Sequence, residues 1–120
     1  MHLAVLSARP DAEAVVHAHP PAVLEAAARG LAIGGPGGEP PRVLPLPPGS
    51  VELAVAAASA LGTGHAACVL ADHGAVTVGS TVPEAVELML ALEERAREAL
   101  RRAGAGDRRE WITGRGRFLE

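Results

Sequence analysis

The sequence predicts an α/β fold, on three observations. A β-branched run, Ala14 to His19, is flanked by helical signals; two further apolar runs meet at His73-Gly74; and a long apolar stripe with helical spacing follows them. At 120 residues and 48% hydrophobic content, the chain is long enough for one domain with a small core.

Each element has its own local justification. His2 to Ala8 reads as the end of a helix, stopped at Arg9-Pro10 because a residue before proline is pushed out of the helical region. Ala14 to His19, bounded by Asp11 and Pro20, reads as a strand. Pro21 to Arg29 follows as a short helix, since proline is tolerated in the first turn and Gly30 stands where helices commonly end. Leu31 to Gly49 is crowded with glycine and proline and predicts loop, with at most a short strand at Arg42 to Leu46. Within it, Gly34 to Gly38 lacks both the strand-to-helix setting and the Lys or Ser of a phosphate cradle, and reads as plain loop. Ser50 can cap a helix from Val51 to Leu61 that ends at Gly62. Ala66 to Asp72 and Ala75 to Val78 read as two strands.

The last helix carries the strongest local signal. Thr81 and Glu84 have capping-box spacing, and Val82, Ala85, Val86, Met89, Leu92, Ala96, Ala99, Leu100 and Ala103 form one stripe. Glu93 with Arg97, and Glu98 with Arg102, stand four apart and read as a solvated face. The expected organisation is one domain over residues 1–104 and a polar, Arg-rich tail over 105–120. That tail holds Trp111 and Phe118, and reads either as disordered or as docked on something.

The candidate functional residues are histidines. In a strand, side chains alternate between faces, so His17 and His19 point the same way about 7 Å apart, with Val16 and Ala18 opposite. Alone, such a pair reads equally well as structural histidines near the surface. His73, in Leu70-Ala71-Asp72-His73-Gly74, adds a third imidazole, and three protein ligands with one open position describe a catalytic zinc site. A cysteine-rich structural site is excluded, because the lone Cys68 sits in an apolar run and reads as a buried, inert thiol. His65 reads as a surface histidine.

Composition narrows the function classes. With no partner for Cys68, no disulfide forms within the chain, which fits a reducing cytoplasm. No leader pattern and no apolar run near 18 residues is present, so a soluble protein with no membrane partner is expected. All 11 basic residues are Arg, and Lys, Asn, Gln and Tyr are absent, a bias of genome composition or hot habitat rather than of function. The net charge of −3 argues against nucleic acid as a partner, although most of the Arg follows residue 94.

Three ordered motifs resemble one family. They are Ala8-Arg9-Pro10-Asp11-Ala12-Glu13-Ala14-Val15-Val16-His17-Ala18-His19-Pro20-Pro21, then Pro48-Gly49-Ser50-Val51-Glu52-Leu53-Ala54, then Leu70-Ala71-Asp72-His73-Gly74-Ala75-Val76-Thr77-Val78-Gly79 running into the amphipathic helix. From His2 to about Gly104 the chain is similar to the class II aldolase and adducin superfamily, which includes fuculose-phosphate aldolase and ribulose-phosphate 4-epimerase. The resemblance implies a three-layer fold with a central, mainly antiparallel sheet covered by helices, here with about four strands. It places the family's zinc ligands on His17, His19 and His73, with another divalent transition metal as a substitute.

In such enzymes zinc holds a substrate's carbonyl and neighbouring hydroxyl oxygens and stabilises an enediolate as a carbon-carbon bond breaks. Ligating imidazoles need an acceptor for their other nitrogen, and Asp72, Glu13 or a backbone carbonyl can supply it. The resemblance thus implies a zinc-dependent lyase acting on a sugar phosphate or related hydroxy-carbonyl compound. Family members are nearly twice as long, and their first half brings phosphate-binding loops and an acid or base that would precede Met1. The alternative reading is therefore a non-catalytic metal-binding or oligomerisation module like the adducin head, or one half of a split enzyme. A homo-oligomer is expected, a tetramer first, with Trp111 and Phe118 as anchors and Arg108, Arg109, Arg115 and Arg117 reaching a neighbour's ligand.

Overall fold

Side-chain alternation along the strands divides the core into two layers, as seen in a computed structural model that describes residues 1–34 and 38–104. The elements run α1 (His2–Ala8), β1 (Ala14–Ala18), α2 (Pro21–Ala28), β2 (Arg42–Val43), α3 (Val51–Leu61), β3 (Ala67–Leu70), β4 (Gly74–Gly79) and α4 (Val82–Gly104). Val15, Cys68, Leu70, Val76 and Val78 pack with Val5 of α1 and with Leu53, Ala57 and Leu61 of α3. Val16, Ala18, Val69 and Ala75 pack on the opposite side, with Val23 and Ala26 of α2 and Met89, Leu92 and Ala96 of α4. The result is helices on both faces of one sheet.

The four strands lie in the order β1-β4-β3-β2. The β1–β4 and β4–β3 pairs are antiparallel, and β2 lies parallel to β3. The fold is therefore α/β with a mainly antiparallel sheet. β2 is shorter than the five residues that its apolar run suggested, because Pro40, Pro41, Pro45 and Pro47 remove ladder donors on both sides. Among the described residues, no helix is long and apolar enough to cross a membrane.

Local caps form as the sequence suggests. The Ser50 hydroxyl accepts the Leu53 N–H at 3.1 Å, an arrangement worth about 1 kcal/mol. The Thr81 hydroxyl accepts the Glu84 N–H at 3.2 Å, while the Glu84 carboxylate reaches back to the Ser80 N–H rather than to Thr81. Buried Arg9 joins distant segments: it donates to both oxygens of Asp11 at 2.9 Å and to the His65 carbonyl. The His65 ring itself is exposed.

One expectation is corrected. Glu93 does not lie on a solvated face; it is 7% exposed and takes the N–H groups of Ala22 and Val23 at 2.9 and 3.0 Å. Pro21 has no N–H and the Leu24 N–H bonds to the Pro20 carbonyl, so this one carboxylate closes the free donors of α2's first turn. The buried stripe of α4 is Ala85, Met89, Leu92, Glu93, Ala96 and Leu100, while Val82 and Val86 are exposed. The tail, with Trp111, Phe118 and its arginines, lies outside the described residues, as do residues 35–37.

Candidate metal centre

The three histidines arrive from two neighbouring strands. β1 ends where its register with β4 ends, at Ala18 opposite Ala75, so His17 sits in the pair before the last, opposite Val76, and His19 just beyond the ladder. His73 sits in the turn between β3 and β4, where its N–H bonds to the Leu70 carbonyl and Asp72 takes a positive φ of 62°. That left-handed residue turns the chain so that β4 runs back between β3 and β1.

The rings converge. One ligand nitrogen from each of His17, His19 and His73 lies within 4.8 Å of the others. Ring centroids stand 4.9 Å apart for His17 and His19, 4.8 Å for His17 and His73, and 5.3 Å for His19 and His73. His17 Nε2 and His73 Nε2 are 3.2 Å apart. Two nitrogens on a tetrahedral zinc, each about 2.0 to 2.1 Å from it, stand about 3.3 Å apart, so this pair already has the spacing of two zinc ligands.

The tautomer of His17 follows from its partner. Nδ1 lies 2.9 Å from the Ala75 carbonyl oxygen, which can only accept, so Nδ1 carries the hydrogen and Nε2 presents a lone pair towards His73. Burial pushes the His17 pKa below the ordinary histidine value; charge on His73, His19 and His2 pushes it the same way, and the Ala75 carbonyl opposes. His17 is thus held neutral, the form that binds a cation. His73 Nδ1 is buried without a hydrogen-bond partner among the described residues. His17 and His73 are half-buried and His19 is exposed, which leaves the group open to solvent on His19's side. These features fit a divalent cation: borderline nitrogen donors, no thiolate, and one side free for another ligand. Cys68 is fully buried, with its thiol pushed up to about 12, and takes no part.

Of the three acceptors considered from sequence, a backbone carbonyl fills the role for His17. Ala75 carries no side-chain signal of this, since its part depends on strand register. Gly74 was likewise missed, although its place directly after His73 was the available hint.

Comparisons with known proteins identify the family and support the fold. The family described as Class II Aldolase and Adducin N-terminal domain matches residues 1–100. A 3,4-dihydroxyphthalate decarboxylase of Terrabacter sp. (strain DBF63) is 35% identical over 122 aligned positions, covering 88% of this chain and 49% of that protein. The crystal structure of L-fuculose-1-phosphate aldolase from Thermus thermophilus superposes with a TM-score of 0.68 at 33% identity, covering 85% of this chain and 59% of that one. YgbL of Escherichia coli, described as of aldolase/epimerase/decarboxylase type, superposes with a TM-score of 0.68 at 31% identity, covering 80% and 52%. The chain therefore spans about half the length of these relatives.

Proposed function

The chain belongs to the class II aldolase and adducin N-terminal domain family, and on that premise we propose that His17, His19 and His73 hold a divalent metal, zinc first, in a carbon-carbon lyase centre. The observation that carries this reading is the convergence of the three imidazoles, with His17 locked in the tautomer that offers Nε2. When bound, a metal there supplies a Lewis acid for the negative charge that develops on a carbonyl or hydroxyl oxygen as a neighbouring carbon-carbon bond breaks. The chain's own residues do the rest: the Ala75 carbonyl orients His17, the turn at Asp72 delivers His73, and exposed His19 borders the side open to a ligand.

The substrate proposed is a sugar phosphate or a related small hydroxy-carbonyl compound. Two relatives support a bond-breaking reaction of this class, since an aldolase and a decarboxylase both cleave carbon-carbon bonds. A second reading, a non-catalytic metal-binding module or one half of a split enzyme, is favoured by the makeup of the group, which among the described residues holds three histidines and no carboxylate. Proton transfer separates the two. Of the candidate carboxylates Glu13, Glu39 and Asp72, Glu39 is engaged, its Oε2 accepting the Ile33 N–H at 2.5 Å beside Arg42. Exposed Glu13 and Asp72 remain.

The test is metal analysis of the purified chain followed by an aldol-cleavage assay on sugar phosphates. The expected result is about one zinc per chain with weak cleavage or none, because metal polarisation without a placed acid or base forgoes a factor of roughly 10² to 10⁴. Robust turnover contradicts the second reading and directs mutagenesis to Asp72 and Glu13.

Assembly belongs to the same proposal. Val82, Val86 and Leu90 form an exposed apolar row along α4, and Leu3, Val51 and Val55 are exposed on α1 and α3. A homo-oligomer, tetramer first, covers such surface, and light scattering at micromolar concentration should report one. A monomer there contradicts the assembly.

A further inference from the structure

We propose that the first two residues of β4, Gly74 and Ala75, are positioning residues for the three-histidine centre: Gly74 because it has no side chain where His19 leaves the sheet, Ala75 because its carbonyl holds the His17 ring. The inference rests on the metal-binding reading above and adds what sets its geometry.

The argument for Gly74 is steric. A Cβ there would lie 2.2 Å from the Ala18 carbonyl oxygen, 3.2 Å from the Ala18 carbonyl carbon and 3.0 Å from His19 Cδ2. The first contact is with backbone, which cannot swing aside, so a methyl group moves the end of β1 by roughly 1 Å to regain ordinary contact. The residue carried by that moving segment is His19. By contrast, an added Cβ at Gly64 meets nothing within 4 Å. Gly79, at the other end of β4, is also crowded, but by Glu84 and Ala85 at the start of α4, away from the histidines. Close approach at Gly74 therefore brings β1 near enough to the turn for His19 and His73 to stack 5.3 Å apart.

The argument for Ala75 is directional. Its carbonyl lies one register step from His17, opposite Ala18, and takes the His17 Nδ1–H at 2.9 Å. A displacement at Gly74 is next to this bond, so both ligands from β1 depend on the same two residues. Losing one such orienting contact in a metal site costs 10 to 100-fold in affinity.

The test uses Gly74→Ala in the full chain, with Gly64→Ala as the control for an added methyl. Zinc affinity is read by chelator competition, coordination by the visible spectrum of cobalt(II) added in place of zinc, and folding by circular dichroism. The expected result is a folded Gly74→Ala protein with zinc affinity lowered at least 10-fold and an altered cobalt spectrum, while Gly64→Ala matches wild type. A folded Gly74→Ala protein with wild-type affinity and spectrum overturns the role of Gly74, and so does an unfolded one, which makes Gly74 a residue of the fold alone. The role of Ala75 is read separately from ring ¹⁵N resonances of His17 in the metal-free wild type: a persistent Nδ1–H tautomer supports it and an Nε2–H tautomer overturns it. If the wild-type chain takes up no cobalt or zinc, the metal reading itself fails. If only Gly74→Ala behaves as wild type, that reading stands without the positioning role.

Discussion

Replacing His19 with alanine is expected to lower zinc affinity by at least about 100-fold, more than the loss of an orienting contact around a metal costs. Such a change is about 2.7 kcal/mol of binding free energy. His19 is exposed and lies beyond the last β1–β4 pair, so its truncation opens no cavity and leaves no buried polar group without a partner. The melting temperature of the metal-free protein should stay within about 2 °C of wild type, since surface changes of this kind fall within about 0.5 kcal/mol. Isothermal titration with zinc and a thermal melt on the same sample check both halves. An affinity unchanged by the substitution removes His19 from the ligand set.

Acid should act in the same direction, because protons compete for the imidazoles that bind metal. The folded state holds the pKa of His17 below the ordinary value of 6.5, so the unfolded chain takes up that proton first. Stability of the metal-free protein therefore rises with pH through the interval just below 6.5. It is lost again as pH falls through the folded value.

Replacing Glu93 with alanine should cost about 3 kcal/mol or more and lower the melting temperature by over 10 °C. Its two oxygens take the buried N–H groups of Ala22 and Val23, and α2 has no other cap: Pro20 offers no side-chain acceptor. Removal leaves both donors without a partner and also takes a negative charge from the positive end of the helix dipole. Glu93→Gln keeps one good acceptor oxygen and should lose roughly half as much. Thermal unfolding followed by circular dichroism measures both variants. A Glu93→Ala protein within 1 kcal/mol of wild type shows that water replaces the carboxylate at no cost.

How much was legible depends on whether an interaction is local. The caps at Ser50 and Thr81, the glycine at the end of α3 and the alternation in β1 each depend on residues within four positions, and these the sequence shows directly. Glu93 was partly legible: it stands four residues after Met89 and one after Leu92, inside the buried row, and was misread because charge was given more weight than phase. Its partners on α2 were not legible, lying 70 and 71 residues away. The same holds for the Arg9 bond to the His65 carbonyl, 56 residues off, and for the His17 bond to Ala75, 58 off. The first depends on how α1 packs on α3 and the second on strand register, neither of which a local pattern in this chain sets. For the candidate site, residue types and the same-face geometry of His17 and His19 pointed to the cluster, whereas the backbone groups that orient it came only with the pairing of β1 and β4.

The central claim, that His17, His19 and His73 together bind one metal ion, is tested most directly by X-ray absorption at the zinc edge on the zinc-loaded chain. The account predicts one zinc per chain, three imidazole nitrogens at about 2.0 to 2.1 Å, one further light ligand and no sulfur. A sulfur neighbour at about 2.3 Å, fewer than three imidazoles, or no stoichiometric zinc would contradict it.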